Sequence, residues 1–224
     1  MTNKKSKLKF ENISKSFGNQ LILNDVSIEI IEGETIAIVG PSGIGKTTFL
    51  NLAGTIDQPD SGNIFFNQEN ITSLSEKERS IFRNKHIGFI FQLHYLLPQC
   101  TVLENILIPT IINSSNSEKK EAEKRAIELL YRLGMSENRN KLPGQLSGGE
   151  CQRTAFIRAL INQPELILAD EPTGSLDEEN AIHLISELIK LNKELNTTLL
   201  LVTHSTKLAE QMDKILYLKN HKIN

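Results

Sequence analysis

An apolar run, Thr35-Ile-Ala-Ile-Val39, stops at Gly40-Pro-Ser-Gly-Ile-Gly-Lys-Thr47, and this loop constrains the fold more than any other stretch of the 224-residue chain. It fits the pattern G-x-x-x-x-G-K-[ST], in which glycines let successive backbone N–H groups converge on phosphate oxygens while a lysine reaches the terminal phosphates. Typical residue frequencies give about a one per cent chance of meeting the pattern in a chain of this length. The helical character of Thr47 to Leu52, directly behind an apolar strand, lowers it further: strand, glycine loop and helix in that order is what a phosphate loop needs. Gly40, Pro41, Ser42, Gly43, Ile44, Gly45, Lys46, Thr47 and Thr48 are therefore candidate nucleotide-binding residues, and the Thr47 hydroxyl suits Mg²⁺.

The rest of the chain alternates in a way that supports such a core. Leu8 to Ile13 and Leu21 to Ile31 read as strands joined by a turn at Gly18-Asn19, and Asn63 to Asn67 and Ile87 to Phe91 as shorter ones. From Thr101 to Leu133 the pattern turns helical, with Ser117 as an expected cap for a helix whose charged first half gives way to Ile127, Leu129, Leu130 and Leu133. Beyond it a helix (about Gly149 to Ile161), a strand (Leu166 to Ala169), a helix (Asn180 to Leu195), a strand (Thr198 to Thr203) and a last strand (Lys214 to Leu218) predict a parallel sheet covered on both faces. The expected fold is α/β, with a mainly parallel P-loop NTPase sheet, an N-terminal antiparallel β part and a helical insertion at about 93–160, all within one domain spanning 1–224.

Composition removes several alternatives. A formal net charge of −2, with 39 % hydrophobic and 23 % charged residues, is ordinary for a globular chain and gives no support for nucleic-acid binding through a strongly basic surface. Lys4, Lys5, Lys7 and Lys9 read as a solvated terminal arm. No apolar stretch approaches the ~20 residues that span a bilayer, and the lysine-rich start lacks the apolar centre of a signal peptide, so a soluble, cytoplasmic protein is expected. Two cysteines, Cys100 and Cys151, read as free thiols.

Leu166-Ile-Leu-Ala-Asp170 ends an apolar strand in an acid, and Glu171 follows at once. Beside a phosphate loop, two such acids suggest a division of labour in which Asp170 serves Mg²⁺ and Glu171 polarises the attacking water as general base. His204 ends strand Thr198 to Thr203 and reaches the same sheet edge, within range of a γ-phosphate. Leu146-Ser-Gly-Gly-Glu150 precedes a helix, and the Ser147 hydroxyl with the Gly148 and Gly149 N–H groups at a helix N-terminus suits an anion-facing task.

With the phosphate loop before it and Asp170-Glu171 after it, this last segment resembles the signature motif of ABC-transporter ATPases, and the resemblance covers essentially the whole chain. It implies an ATP-hydrolysing subunit in which Ser147, Gly148, Gly149 and Glu150 close over ATP held by the phosphate loop of a second copy, in a head-to-tail homodimer. By the same resemblance Phe17 stacks on adenine, Gln92 reaches Mg²⁺ and the attacking water, Gly174 to Asp177 links the two sites across the dimer, and His204 is the switch histidine. Catalytic roles fall to Glu171, His204 and Gln92, metal contacts to Thr47, Gln92 and Asp170. Four positions depart from the family pattern: Cys151, Phe156, Ile157 and Ser205.

Phe89-Ile-Phe-Gln-Leu-His-Tyr-Leu-Leu-Pro98 and Thr101-Val-Leu-Glu-Asn-Ile106 resemble the branch with lipoprotein-releasing, macrolide-efflux and antimicrobial-peptide-resistance ATPases. The branch implies membrane permease subunits as partners, peripheral attachment at the cytoplasmic face of the membrane, and mechanical work on the permease. Leu96, Leu97, Val102, Leu103 and Ile106 are the expected socket for the permease, with the core of the helical part as their other reading. Alternatives are a cell-division ATPase of the same branch that transports nothing, a soluble ABC protein acting on DNA or ribosomes, and a self-contained nucleotide kinase.

Overall fold

The computed structural model describes residues 5–112, 115–174 and 176–223. Strands β1 (Ser6–Phe17) and β2 (Gln20–Ile31) form a long antiparallel hairpin, followed by β3 (Thr35–Val39) and helix α1 (Lys46–Ala53). Next come β4 (Ser61–Phe66), β5 (Glu69–Asn70), α2 (Glu76–His86) and β6 (Ile87–Ile90). Helices α3 (Val102–Leu107), α4 (Asn116–Arg132) and α5 (Gly148–Leu160) occupy the middle. The chain then runs through β7 (Leu166–Asp170), α6 (Glu178–Leu195), β8 (Thr198–Thr203), α7 (Thr206–Ala209), β9 (Lys214–Lys219) and β10 (Lys222–Ile223).

Two sheets result. The larger has the order β10-β9-β3-β8-β7-β6, parallel except for the β10–β9 hairpin, and the smaller is antiparallel with the order β2-β1-β4-β5. Alternation along the parallel strands explains why both faces are covered. Ala37, Val39, Ile167, Ala169, Leu199 and Leu201 pack into a core with α3–α7, while Ile36, Ile38, Leu166, Leu168, Leu200 and Val202 pack into a second core with α1 and the antiparallel sheet. Successive side chains of a strand point to opposite faces, so a strand buried on both sides reads as an unbroken apolar run. Each fully buried Leu or Ile contributes roughly 1.5–3 kcal/mol.

Several expectations change. Helix α2 carries no buried residue, so its sequence shows no apolar stripe; the Ser75/Glu78 capping box starts it and Phe66 packs edge-on against its Phe82. The cap of α4 is Ser115, not Ser117: its hydroxyl accepts the Glu118 N–H and the Glu118 carboxylate accepts the Ser115 N–H. Residues from 93 to the start of α3 are not helical. Lys7 is no solvated arm, being 3 % exposed with its ammonium 2.7 Å from Glu165 and 3.3 Å from Glu32; Lys4 lies outside the described residues. Of the expected socket, Leu96, Val102 and Ile106 are buried, the last two wholly, and so belong to the core. Leu103 is partly buried and Leu97 stays exposed, and further apolar surface lines a neighbouring groove of about 550 Å³ formed by Ile56, Phe89, Phe91, Tyr95, Ile108 and Ile112.

Candidate nucleotide site

The loop 40–45 leaves the end of β3 and turns into α1. Gly45 has φ +112° and a Cβ there would lie 2.6 Å from Ile22 Cγ2, so only glycine fits where β2 crosses the loop. Helix α1 starts with no side-chain cap and no acid in its first turn. The other described α-helices all have their first turn capped by Ser75, Thr101, Ser115, Ser147, Asp177 or Ser205. Because the first N–H groups of a helix have no partner within it, α1 keeps donors and a positive dipole end free for an anion. Lys46, 7 % exposed, lies along the loop with its ammonium donating to the Gly40 and Pro41 carbonyls at 2.8 and 3.1 Å.

Parallel pairing brings the remaining groups to the same edge. β3 and β7 both pair with β8, so Val39, Asp170 and the β8 end at Val202–Thr203 share one rim of the sheet. There the Thr47 hydroxyl donates to Asp170 Oδ2 at 2.9 Å. Burial holds the Asp170 carboxyl above its ordinary value; Glu171 adds to that, while Thr47 and Lys46 work against it. Glu171 sits at φ +42°, a left-handed conformation that costs a non-glycine residue about 1–2 kcal/mol. Its N–H donates to the Val202 carbonyl at 2.9 Å, which aims the side chain back over the loop. Glu171 Oε1 is 2.9 Å from His204 Nδ1 and 3.8 Å from the Lys46 ammonium, and Oε2 accepts from the Thr203 hydroxyl at 3.1 Å. Lys46, Thr47, Asp170, Glu171 and His204 thus converge.

Other sequence-predicted residues stand apart from this centre. Gln92, just past β6, is exposed and rests against Gly174, where an added Cβ would come within 2.9 Å of its amide nitrogen. Phe17, at the tip of the first hairpin, is 53 % exposed, with the Lys15 ammonium 5.1 Å from its ring centroid, a contact no sequence pattern announced. Ser147 caps α5 through a capping box with Glu150, whose carboxylate also accepts from Asn138 at 2.6 Å; these bonds hold it below its ordinary value. Asp177 caps α6 by accepting the Asn180 N–H, and Ser175 of the loop before it lies outside the described residues. The four departures have structural employment: Cys151, Phe156 and Ile157 are buried in or beside α5, and Ser205 caps α7.

The donor set also bears on a metal. Thr47 and Asp170 offer only hard oxygen donors, and among the described residues no group of three His, Cys, Asp or Glu could hold a metal alone. That fits Mg²⁺, which binds through few protein oxygens and completes its shell with water and substrate phosphates.

The family model described as ABC transporter matches residues 23–174, the span from β2 to the turn after Glu171. The chain belongs to the ABC transporter family. As an ABC ATPase it binds ATP and hydrolyses it. It is 48 % identical over 208 residues to the lipoprotein-releasing system ATP-binding protein LolD of Bacteroides fragilis, covering 93 % of this chain and 95 % of that one. LolD of Legionella pneumophila is 44 % identical, covering 88 % and 86 %. Among solved structures, the dimeric MJ0796 bacterial ABC transporter cassette superposes with a TM-score of 0.86 at 38 % identity, covering 97 % of this ABC ATPase and 96 % of that chain. Its post-hydrolysis dimer bound to ADP and Pi gives 0.85 at the same identity and coverage. No helix among the described residues of the ABC ATPase is long and apolar enough to cross a membrane.

Proposed function

We propose that the chain is half of a head-to-tail ATPase dimer that hydrolyses Mg-ATP in two shared sites and drives a membrane permease of the lipoprotein-releasing type. The observation that carries this reading is the surface state of the signature motif. Ser147 and Gly148 are exposed, neither Gly148 nor Gly149 has a positive φ, and a Cβ at either would meet only Leu176 Cδ2, at 4.0 and 3.8 Å. Nothing among the described residues requires glycine there. Close approach by a second molecule does, and the uncapped α1 terminus calls for an anion to bridge the two.

In this reading the α1 N–H groups and Lys46 hold the phosphates, Phe17 stacks on adenine, and Glu171 accepts a proton from the attacking water. His204 turns from Glu171 to the γ-phosphate. Thr47 and Asp170 would hold Mg²⁺, with Gln92 as a further ligand reaching in from beyond β6, and the ion would supply charge neutralisation on the phosphate oxygens. Asp177 and its loop face the partner copy's site. Residues 1–224 act as one ATPase domain whose helical part, about 93–160, carries the signature motif. The groove between Ile56, Tyr95 and Ile112 receives a cytoplasmic segment of the permease, which attaches the protein peripherally at the cytoplasmic face of the membrane. The similarity to several LolD proteins over 88–94 % of the chain favours lipoprotein release over the drug-export members of the branch.

ATP turnover measured against protein concentration tests the proposal, together with size-exclusion chromatography of Glu171→Gln in ATP. Specific activity that rises with concentration, and an ATP-dependent dimer of the variant, are expected. Concentration-independent turnover with a monomeric variant would mean that each site is complete in one chain.

A further inference from the structure

We infer that Thr203 is the positioning residue of the hydrolytic carboxylate: its hydroxyl holds Glu171 in place once the nucleotide has drawn the other partners away. The inference rests on the reading of Glu171 as general base.

Among the described residues Glu171 has three side-chain partners of different kinds. Lys46, 3.8 Å away, and His204, 2.9 Å away, are the groups that phosphate oxygens recruit, because the ATP phosphates carry more negative charge and more acceptor oxygens than a single carboxylate. His204 is 67 % exposed on its side chain and free to swing. Thr203 is neither cationic nor mobile. It is 1 % exposed, ends β8, and is paired in register with Val39 at the mouth of the phosphate loop.

Its hydroxyl is committed in one direction. The Ser205 N–H donates to Thr203 Oγ1 at 3.1 Å, which occupies a lone pair, so the hydroxyl proton points to Glu171 Oε2, also 3.1 Å away. The relay runs from backbone amide to hydroxyl to carboxylate. A carboxylate on a residue at φ +42° has no regular secondary structure to fix its aim, and with Lys46 and His204 on the phosphates, Thr203 is the donor that remains among the described residues. A water-polarising base works only within hydrogen-bond reach of its water, so loss of aim lowers the rate and leaves nucleotide binding alone.

Steady-state ATPase kinetics of T203V, T203S and E171Q, with nucleotide affinity measured separately by a fluorescent ATP analogue, test this. T203V keeps the volume and β-branching but loses the hydroxyl, so kcat should fall roughly tenfold or more, the cost of a hydrogen bond to a charged group. KM and analogue affinity should stay within about twofold of the parent, the pattern of a group acting only in the transition state. T203S, which restores the donor, should recover most of the rate. A T203V protein with the parent's kcat, one whose analogue affinity falls in step with kcat, or a T203S protein as slow as T203V would each overturn the inference. An E171Q protein that still turns over would overturn the underlying reading instead. Inactive E171Q with fully active T203V would remove the role of Thr203 alone.

Discussion

The Thr47 hydroxyl and Asp170 Oδ2, 123 positions apart in the chain, meet at 2.9 Å at the rim of the parallel sheet. The pair joins the phosphate loop to the acidic strand and presents two hard oxygen donors side by side. Thr47→Ala is expected to raise the Mg²⁺ concentration for half-maximal turnover about tenfold, the worth of one ligand contact of this strength. Asp170→Asn should raise it further, and chelation with EDTA should stop turnover. A Mg²⁺ titration of ATPase rate reads all three, and unchanged half-saturation in both variants would count against the pair as metal donors.

Gly149 separates folding from assembly. An alanine Cβ would make only ordinary contact, 3.8 Å from Leu176 Cδ2, and alanine favours the helix over glycine. Gly149→Ala should therefore leave the monomer as stable as the parent or more stable by up to about 1 kcal/mol. Its turnover at high protein concentration should nevertheless fall at least about tenfold, since a methyl group would intrude where the proposed dimer sets the second copy's nucleotide. Thermal unfolding and the concentration series together decide it; loss of stability without loss of turnover would contradict the argument.

Glu165 sits at the far end of β7 from the chemistry, where its carboxylate meets Lys7, Asn67 and His86 at 2.7, 2.9 and 2.8 Å. Burial alone would raise this carboxyl, but bonds from Lys7, Asn67 and His86 bring it down from 4.5 to about 2. A depressed folded-state value means the carboxylate stabilises the fold above the unfolded value and loses that contribution as pH falls from about 4.5 towards 2. Because the Glu165 side chain is 38 % exposed, solvent screens part of this gain, and Glu165→Gln should cost on the order of 1 kcal/mol at pH 7, tempered by Glu32 as the second partner of Lys7. Urea unfolding of parent and variant at several pH values should show the difference shrinking below pH 4.5. A difference that grew on acidification would have the wrong sign for this cause.

Phe17, at the tip of the first hairpin, has half its surface exposed and a lysine ammonium near its ring. Base–aromatic stacking is worth about 1–3 kcal/mol, so Phe17→Ala should raise KM for ATP roughly tenfold with kcat little changed. Phe17→Tyr keeps the ring and should stay near the parent. Equal KM values for the parent and the Phe17→Ala variant would take the adenine contact away from this residue.

The chemistry of this chain was largely written in local sequence. A phosphate loop needs contiguous residues, because one turn of backbone makes the cradle, and the strand-ending acids and the Ser-Gly-Gly helix start are equally local. Strand runs buried on both faces read as unbroken apolar stretches, and so the parallel sheet was legible. What the sequence could not carry were relationships between distant positions. Whether Lys7 is solvated or buried depends on Glu165 arriving 158 residues later, and which apolar residues near Tyr95 remain exposed depends on how α3 packs on α5. Helix α2 escaped notice because a helix with no fully buried residue and one partly buried phenylalanine leaves no periodic trace. Thr203 is an ordinary strand residue before a histidine until β8 brings its hydroxyl to Glu171. Motifs fix which groups are present, whereas the geometry that orients a carboxylate is decided by the pairing of strands, whose free energy comes from the whole sheet.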